Sequence, residues 1–229
     1  TIKNNSYYLY PKQDFKKLID SKELTIMIHG LRNDNAGAIA KVILAKNKLK
    51  KLNYLHPVIG YSYDSNTTGA HLMKYAKRSL MAGQIIAQKN GRNLGKFIED
   101  FKVNSPNTKI RLIGHSLGSQ VILSTLEYLS KKKNNFGIVE GVYFFGASIT
   151  NDVPSSKKYS KILQNIVNKK IVNHYAPSDE VLGWADKEKF VNGPLGLNGS
   201  TGKPVSKYRQ KLLKPKNHRF ASYAAVLNS

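Results

Sequence analysis

Ile110-Arg111-Leu112-Ile113-Gly114-His115-Ser116-Leu117-Gly118-Ser119-Gln120 runs from a short apolar segment into Gly-x-Ser-x-Gly and on into an amphipathic one. A strand that turns directly into a helix around a serine needs a sharp, strained backbone at that serine, and such a turn is a nucleophile elbow. Gly114 and Gly118 remove side chains that would clash across it. The turn lifts the Ser116 hydroxyl above the sheet edge, at the positive end of the following helix. The bare pattern occurs by chance in many chains, and a serine there can simply cap a helix. The flanking strand and helix make it specific.

Outward from this stretch the chain alternates. Short apolar runs at 24–28, 57–63, 141–146, 170–175 and 208–213 read as buried strands. Between them lie helical patterns. Residues 37–55 carry Ile39, Val42, Ile43 and Leu49 as an expected buried face, with lysines opposite. Residues 71–101 carry Leu72, Tyr75, Ala76 and Leu80, then Leu94, Phe97, Ile98 and Phe101. Val121, Ile122, Thr125 and Leu129 follow the serine, Tyr159, Ile162, Leu163 and Ile166 form another stripe, and His218 opens a last helix with Phe220, Tyr223, Ala224 and Leu227. Thr1 to Tyr10 reads as an edge strand or an arm, and 193–199 as a glycine-rich loop. Strand–helix alternation predicts a single α/β domain over 1–229, a mostly parallel sheet covered by helices on both faces.

The 229 residues contain no cysteine, which excludes disulfides, thiolate metal sites and a cysteine nucleophile. Lys+Arg 37 against Asp+Glu 14 gives a formal charge of +23, which attracts anionic surfaces. The lysines are spread along the chain rather than gathered in an arm, and the aromatic residues are not interleaved with arginine, so a specific nucleic-acid platform is not expected. Peripheral contact with an anionic membrane stays open. No run of about 18 apolar residues exists. The chain opens at Thr1 without a basic-then-apolar segment, so the expectation is that any signal peptide has been removed or never existed. A soluble, cytoplasmic chain is the resulting expectation.

Groups that act together in an open α/β sheet gather beyond the carboxyl ends of the strands. Ser116 stands there, Asp179 follows the strand ending at Tyr175, and His218 follows the last strand. A serine hydroxyl attacks only when a base takes its proton, and the base needs an acid to fix its tautomer. His218 and Asp179 are the candidates, with Asp152 and then Asp186 as rival acids. A developing oxyanion needs two preset N–H donors: Leu117, just after the serine, and Leu31 in the His29-Gly30-Leu31 loop. His174 reads as a packed core histidine, His115 as packed beside the serine, and His29 as shaping the loop. His56 and His71 have no evident partner. The six histidines lack metal-ligand spacing, so no metal and no cofactor is expected.

Gly114-His115-Ser116-Leu117-Gly118, the run from Val172 through Asp179 to Gly183, the Gly196-Leu197 loop and Asn217-His218 followed by Tyr223 resemble the α/β-hydrolase superfamily, and within it the DUF726 group of lipase-like serine hydrolases. The resemblance implies an α/β-hydrolase fold, Asp179 as acid and His218 as base. It implies cleavage of a small-molecule or lipid carboxylic ester through an acyl-enzyme. Members of that group often carry membrane segments. Residues 66–95 stand where such folds insert lid helices, with Gly69 and Gly91 as candidate hinges. The competing expectation is a non-catalytic relative that binds anionic membranes or polymers through its charge.

Overall fold

The computed structural model describes residues 7–31, 35–65 and 73–227. Six strands, β1 (Glu23–Ile28), β2 (Val58–Tyr61), β3 (Lys109–His115), β4 (Val139–Phe145), β5 (Val167–Tyr175) and β6 (Tyr208–Leu212), form one sheet in the order β2-β1-β3-β4-β5-β6. Every neighbouring pair is parallel. The helices are α1 (Lys12–Phe15), α2 (Asn35–Lys51), α3 (Met73–Asn104), α4 (Gly118–Leu129), α5 (Lys157–Ile166), α6 (Glu180–Lys187), α7 (Leu195–Asn198) and α8 (Phe220–Ala225). All six strands read from the apolar runs are present.

Successive strand residues face opposite sides of the sheet. Leu24, Ile26, Ile28, Ile110, Leu112 and Phe144 belong to one core, which continues through Leu94, Phe97, Ile98 and Phe101 of α3 and Val121, Ile122 and Leu126 of α4. Met27, Ile113 and Phe145 belong to a second core, completed by Ala45 of α2 and Phe220, Tyr223 and Ala224 of α8. A central strand of a parallel sheet is covered on both faces and reads as a continuous apolar run. Every residue of β1 is buried, whereas the edge strand β6 is exposed beyond Tyr208.

The expected face of α2 is rotated. Ala38, Val42, Ala45 and Leu49 turn inward, while Ile39 and Ile43 are more than half exposed. The helix lies close to the sheet, and Gly60 of β2 makes room for Val42: a Cβ there would stand 2.3 Å from Val42 Cγ2. Bulk-based patterning favoured the isoleucines, but Ala38 and Ala45 take the inner positions beside Val42 and Leu49.

Residues 66–72, the first part of the expected lid and including Gly69, lie outside the described residues, as do the side chains of Tyr75 and Ala76. From Met73 onward one continuous helix runs through Gly91. A Cβ on Gly91 would fall 2.4 Å from Ser124 Cβ, and one on Gly95 would fall 2.4 Å from the Tyr128 ring. These glycines let α3 lie against α4, so at Gly91 close packing stands where a hinge was expected. Residues 7–10 are not a strand. Tyr7 instead packs edge-on against Phe97 and donates to Asp100.

The stretch 193–199 holds a single helical turn, α7, with Leu195, Gly196 and Leu197 buried. Buried backbone must be paired, and here Leu195 N donates to Ile149 O, Gly196 N to Ala147 O, and Ala176 N to Gly196 O. A Cβ on Gly196 would stand 2.0 Å from Ala147 N and 2.3 Å from Gly146 C, both backbone atoms. Gly196→Ala is therefore expected to cost about 3 kcal/mol, the upper end of ordinary overpacking, read as a fall in the urea midpoint without loss of helical signal.

Candidate active site

Ser116 directly follows β3 with φ +52°, a left-handed conformation rare outside glycine. Its N–H donates to Phe145 O at 3.0 Å, and its carbonyl accepts from Ser119 N and from Ser119 Oγ. Close approach holds the turn in place. A Cβ on Gly118 would lie 2.5 Å from Ile28 O and 2.8 Å from His29 O, at the end of β1. On Gly30 it would lie 2.9 Å from Ser116 Cβ, and on Gly114 2.6 Å from Ile122 Cδ1. The elbow glycines thus clear the neighbouring strand end and the following helix as well as the turn itself.

The structure brings Ser116, His218 and Asp179 together. Ser116 Oγ lies 2.8 Å from His218 Nε2, and His218 Nδ1 lies 2.6 Å from Asp179 Oδ2. The only polarity that satisfies every atom has Ser116 donating to Nε2 and Nδ1–H donating to the carboxylate. Asp179 also caps α6, accepting from Leu182 N through Oδ1 at 3.1 Å. One carboxylate oxygen thus caps α6 and the other meets the imidazole.

Asp152 is exposed and accepts from Thr150 Oγ1, and Asp186 accepts from Gly193 N. Neither is bonded to a histidine among the described residues. Leu117 stands at the first turn of α4, where helix amides have no intrahelical partner. Leu31 and Leu117 converge on α3: a Cβ on Gly83 would meet Leu31 Cδ1 at 2.6 Å and Leu117 Cδ2 at 3.1 Å. Among the described residues no three His, Cys, Asp or Glu side chains gather as a metal ion would require.

Tyr223 completes the site. Its hydroxyl donates to Asp179 Oδ2 at 2.6 Å, so that oxygen accepts from two side chains. The helical stripe had marked Tyr223 as core, which it is, but periodicity says nothing about where a hydroxyl points. Gly146 (φ +51°) makes room for it, since a Cβ there would stand 2.8 Å from the Tyr223 oxygen.

Burial works to push the Asp179 carboxyl up, yet the bonds from His218, Tyr223 and Leu182 together outweigh it and hold the group below the usual carboxylate range. His115 is buried beside the serine and donates through Nε2 to His218 O at 2.7 Å. His29 stacks on Tyr63 with centroids 4.5 Å apart, and His174 stacks on Phe145 at 4.2 Å. Burial pushes His29 and His174 down to about 4, and burial with the neighbouring His218 holds His115 well below the imidazole range. His56 lies edge-on to Tyr54, and His71 is outside the described residues.

An all-parallel sheet with a serine on a left-handed turn between its third strand and the next helix is the α/β-hydrolase fold. A family model described as "Protein of unknown function (DUF726)" matches residues 70–190, more than half of the chain, and the chain belongs to that family. The chain is 38% identical over 73 residues to the uncharacterized membrane protein F35D11.3 of Caenorhabditis elegans, covering 32% of this chain and 11% of that protein. It is 29% identical over 154 residues to phospholipase A1 of Polybia paulista, covering 61% of this chain and 44% of that protein. Each match spans less than half of the relative's length. In solved structures, an uncharacterized protein from Bacillus cereus ATCC 10987 superposes over 90% of this chain and 58% of its own with a TM-score of 0.50 at 14% identity. Among the described residues no helix is long and apolar enough to cross a membrane.

Two predictions follow from these bonds. Because Asp179 has a folded pKa below its unfolded one, its contribution is present above about pH 4 and is lost as pH falls through the folded value. Tyr223→Phe is expected to cost about 1.5–3 kcal/mol at pH 7, as for other hydrogen bonds to a charged group, with the difference narrowing below about pH 4. The buried histidines act in a different window. The unfolded chain takes up protons below about pH 6.5 that folded His29, His115 and His174 refuse. Stability should therefore fall between about pH 6.5 and 4, by up to ~1.4 kcal/mol per pH unit for each histidine. Urea titrations of the wild type and of Tyr223→Phe at several pH values read both effects.

Proposed function

We propose that this chain is a serine hydrolase that cleaves carboxylic esters of lipids through an acyl-enzyme. The observation that carries the reading is the unbroken hydrogen-bond chain from Ser116 Oγ through His218 to Asp179, 2.8 and 2.6 Å long. His218 Nε2 accepts the serine proton as Oγ attacks the ester carbonyl, and Asp179 stabilises the imidazolium that forms. The tetrahedral oxyanion forms against the N–H groups of Leu117 and Leu31. On collapse, His218 returns the proton to the departing alcohol oxygen. Water then enters, gives a proton to the same nitrogen and attacks the acyl carbon, and the acid leaves as Ser116 regains its hydrogen.

The strained φ of Ser116 supports this role, since such angles persist where the surrounding structure enforces them and cluster at reacting groups. Two features favour a lipid substrate. One is the sequence similarity to a protein named phospholipase A1. The other is apolar surface beside the site: Leu31 and Leu117 close on Gly83 of α3, and Met81 and Ile85 of that helix are about half exposed.

A fluorophosphonate probe is expected to label wild-type protein at Ser116 and to leave Ser116→Ala unlabelled. Absence of labelling in folded wild-type protein would refute the reading. On nitrophenyl esters of graded chain length, Asp179→Asn should lower kcat by about 10⁴-fold, because the imidazole loses its tautomer. Asp152→Asn should stay within about threefold of wild type. The reverse order would move the acid to Asp152.

A further inference from the structure

We propose a second binding site, on the α2/α8 face of the sheet, for a single-chain amphiphile with a carboxylate head. It goes beyond the ester chemistry, and none of Ser116, His218 or Asp179 lines it. The strand register builds its floor. Thr25, Arg111, Gly141 and Lys170 lie side by side across β1, β3, β4 and β5. Two residues further along, on the same face, come Met27, Ile113 and Tyr143, and beyond them Phe145 with His174. The face therefore grades from polar to aromatic in the direction the strands run.

Helix α2 spans this floor but does not fill it. Beneath it is a cavity of about 350 Å³, within the size range of small-molecule sites. Buried Ala45, Ile113, Phe145 and Phe220 line its apolar end. Lys48, Arg111 and Lys170 line its polar end. The three cations are not equivalent. Arg111 is committed, with Nε and Nη2 donating to Glu23 at 2.8 and 2.9 Å and Nη1 to the Tyr143 hydroxyl at 3.0 Å. Lys48 and Lys170 have no acidic partner among the described residues, and Lys170 Nζ sits 5.6 Å from the Tyr143 ring centroid. Two ammonium groups lining an apolar cavity, with the Glu23 carboxylate already held by Arg111, match one anion carried on a hydrocarbon chain. A neutral chain would leave the cations unanswered, and a free small anion would leave the apolar end empty.

The test is a fluorescence titration with cis-parinaric acid, a straight-chain carboxylate. Wild type and Ser116→Ala should bind it equally, with saturation at one molecule per chain. Lys48→Glu/Lys170→Glu should weaken binding about tenfold or more with circular dichroism and ester hydrolysis unchanged. A charge-matched Lys157→Glu/Lys161→Glu control on α5 should leave binding as in wild type. In Ser116→Ala, where it should not be turned over to the acid, the methyl ester should bind about tenfold more weakly than the acid. Equal binding by the Lys48/Lys170 variant, or a methyl ester that binds as tightly as the acid, would overturn the proposal. So would loss of binding after a long-chain alkylphosphonate is attached to Ser116, which would put the acid in the reacting site. Ester hydrolysis by Ser116→Ala is measured separately, so failure of the ester reading and failure of this one are distinguishable.

Discussion

The structure turns on how closely the Ser116 turn approaches the end of β1. The backbone at Ser116 is left-handed, and a lone residue would not hold that conformation against the cost of a Cβ there. It is held because Gly118 sits against the carbonyls of Ile28 and His29, Gly30 sits against Ser116 Cβ, and Phe145 O accepts the Ser116 N–H. Three strands and one helix thus define one dihedral angle. The parallel order of the sheet has to be right before the serine can be.

A second dependence runs through one carboxylate. Asp179 is buried with no side-chain exposure, a position that disfavours its charge. Three donors from three parts of the chain answer it: the Leu182 amide, the His218 ring and the Tyr223 hydroxyl. The same bonds tie α6 and α8 to the carboxyl end of β5. Fixing the C-terminal helix and orienting the imidazole are therefore one set of interactions, and Gly146 is the accommodation that lets Tyr223 reach in.

The two faces of the sheet are finished differently. One is closed by α3, α4 and α5 with large aliphatic and aromatic side chains. The other is covered by α2 through Ala45, Val42, Leu44 and Leu49 and by the short α8, which leaves room over Arg111 and Lys170. Small residues bring α2 close along its inner line without filling the space beside it. That asymmetry is the origin of the cavity proposed to take an amphiphile.

The order of elements was legible in the chain because strands of a two-sided parallel sheet are nearly uniform apolar runs, and 24–28, 110–113 and 141–146 stand out as such. Gly-x-Ser-x-Gly was legible because its glycines are local requirements of one turn. Asp179 and His218 could be put in order along the chain, but Asp152 stood equally well beyond a strand. Only folding tells their surroundings apart: Asp152 turns to Thr150 while Asp179 meets His218. The inner face of α2 was misjudged because side-chain bulk carries no information about how near a helix lies to its sheet. The Tyr223 hydroxyl was invisible for a related reason: periodicity ranks a residue by its ring and is silent on its polar atom. What the sequence alone determined about this protein is its periods and its turn, which are properties of neighbours along the chain. The partners of Asp179, the fit of Gly118 and Gly196 against distant backbone, and the cation-rimmed cavity were decided only by the tertiary structure, since each is a distance between residues that the chain keeps far apart.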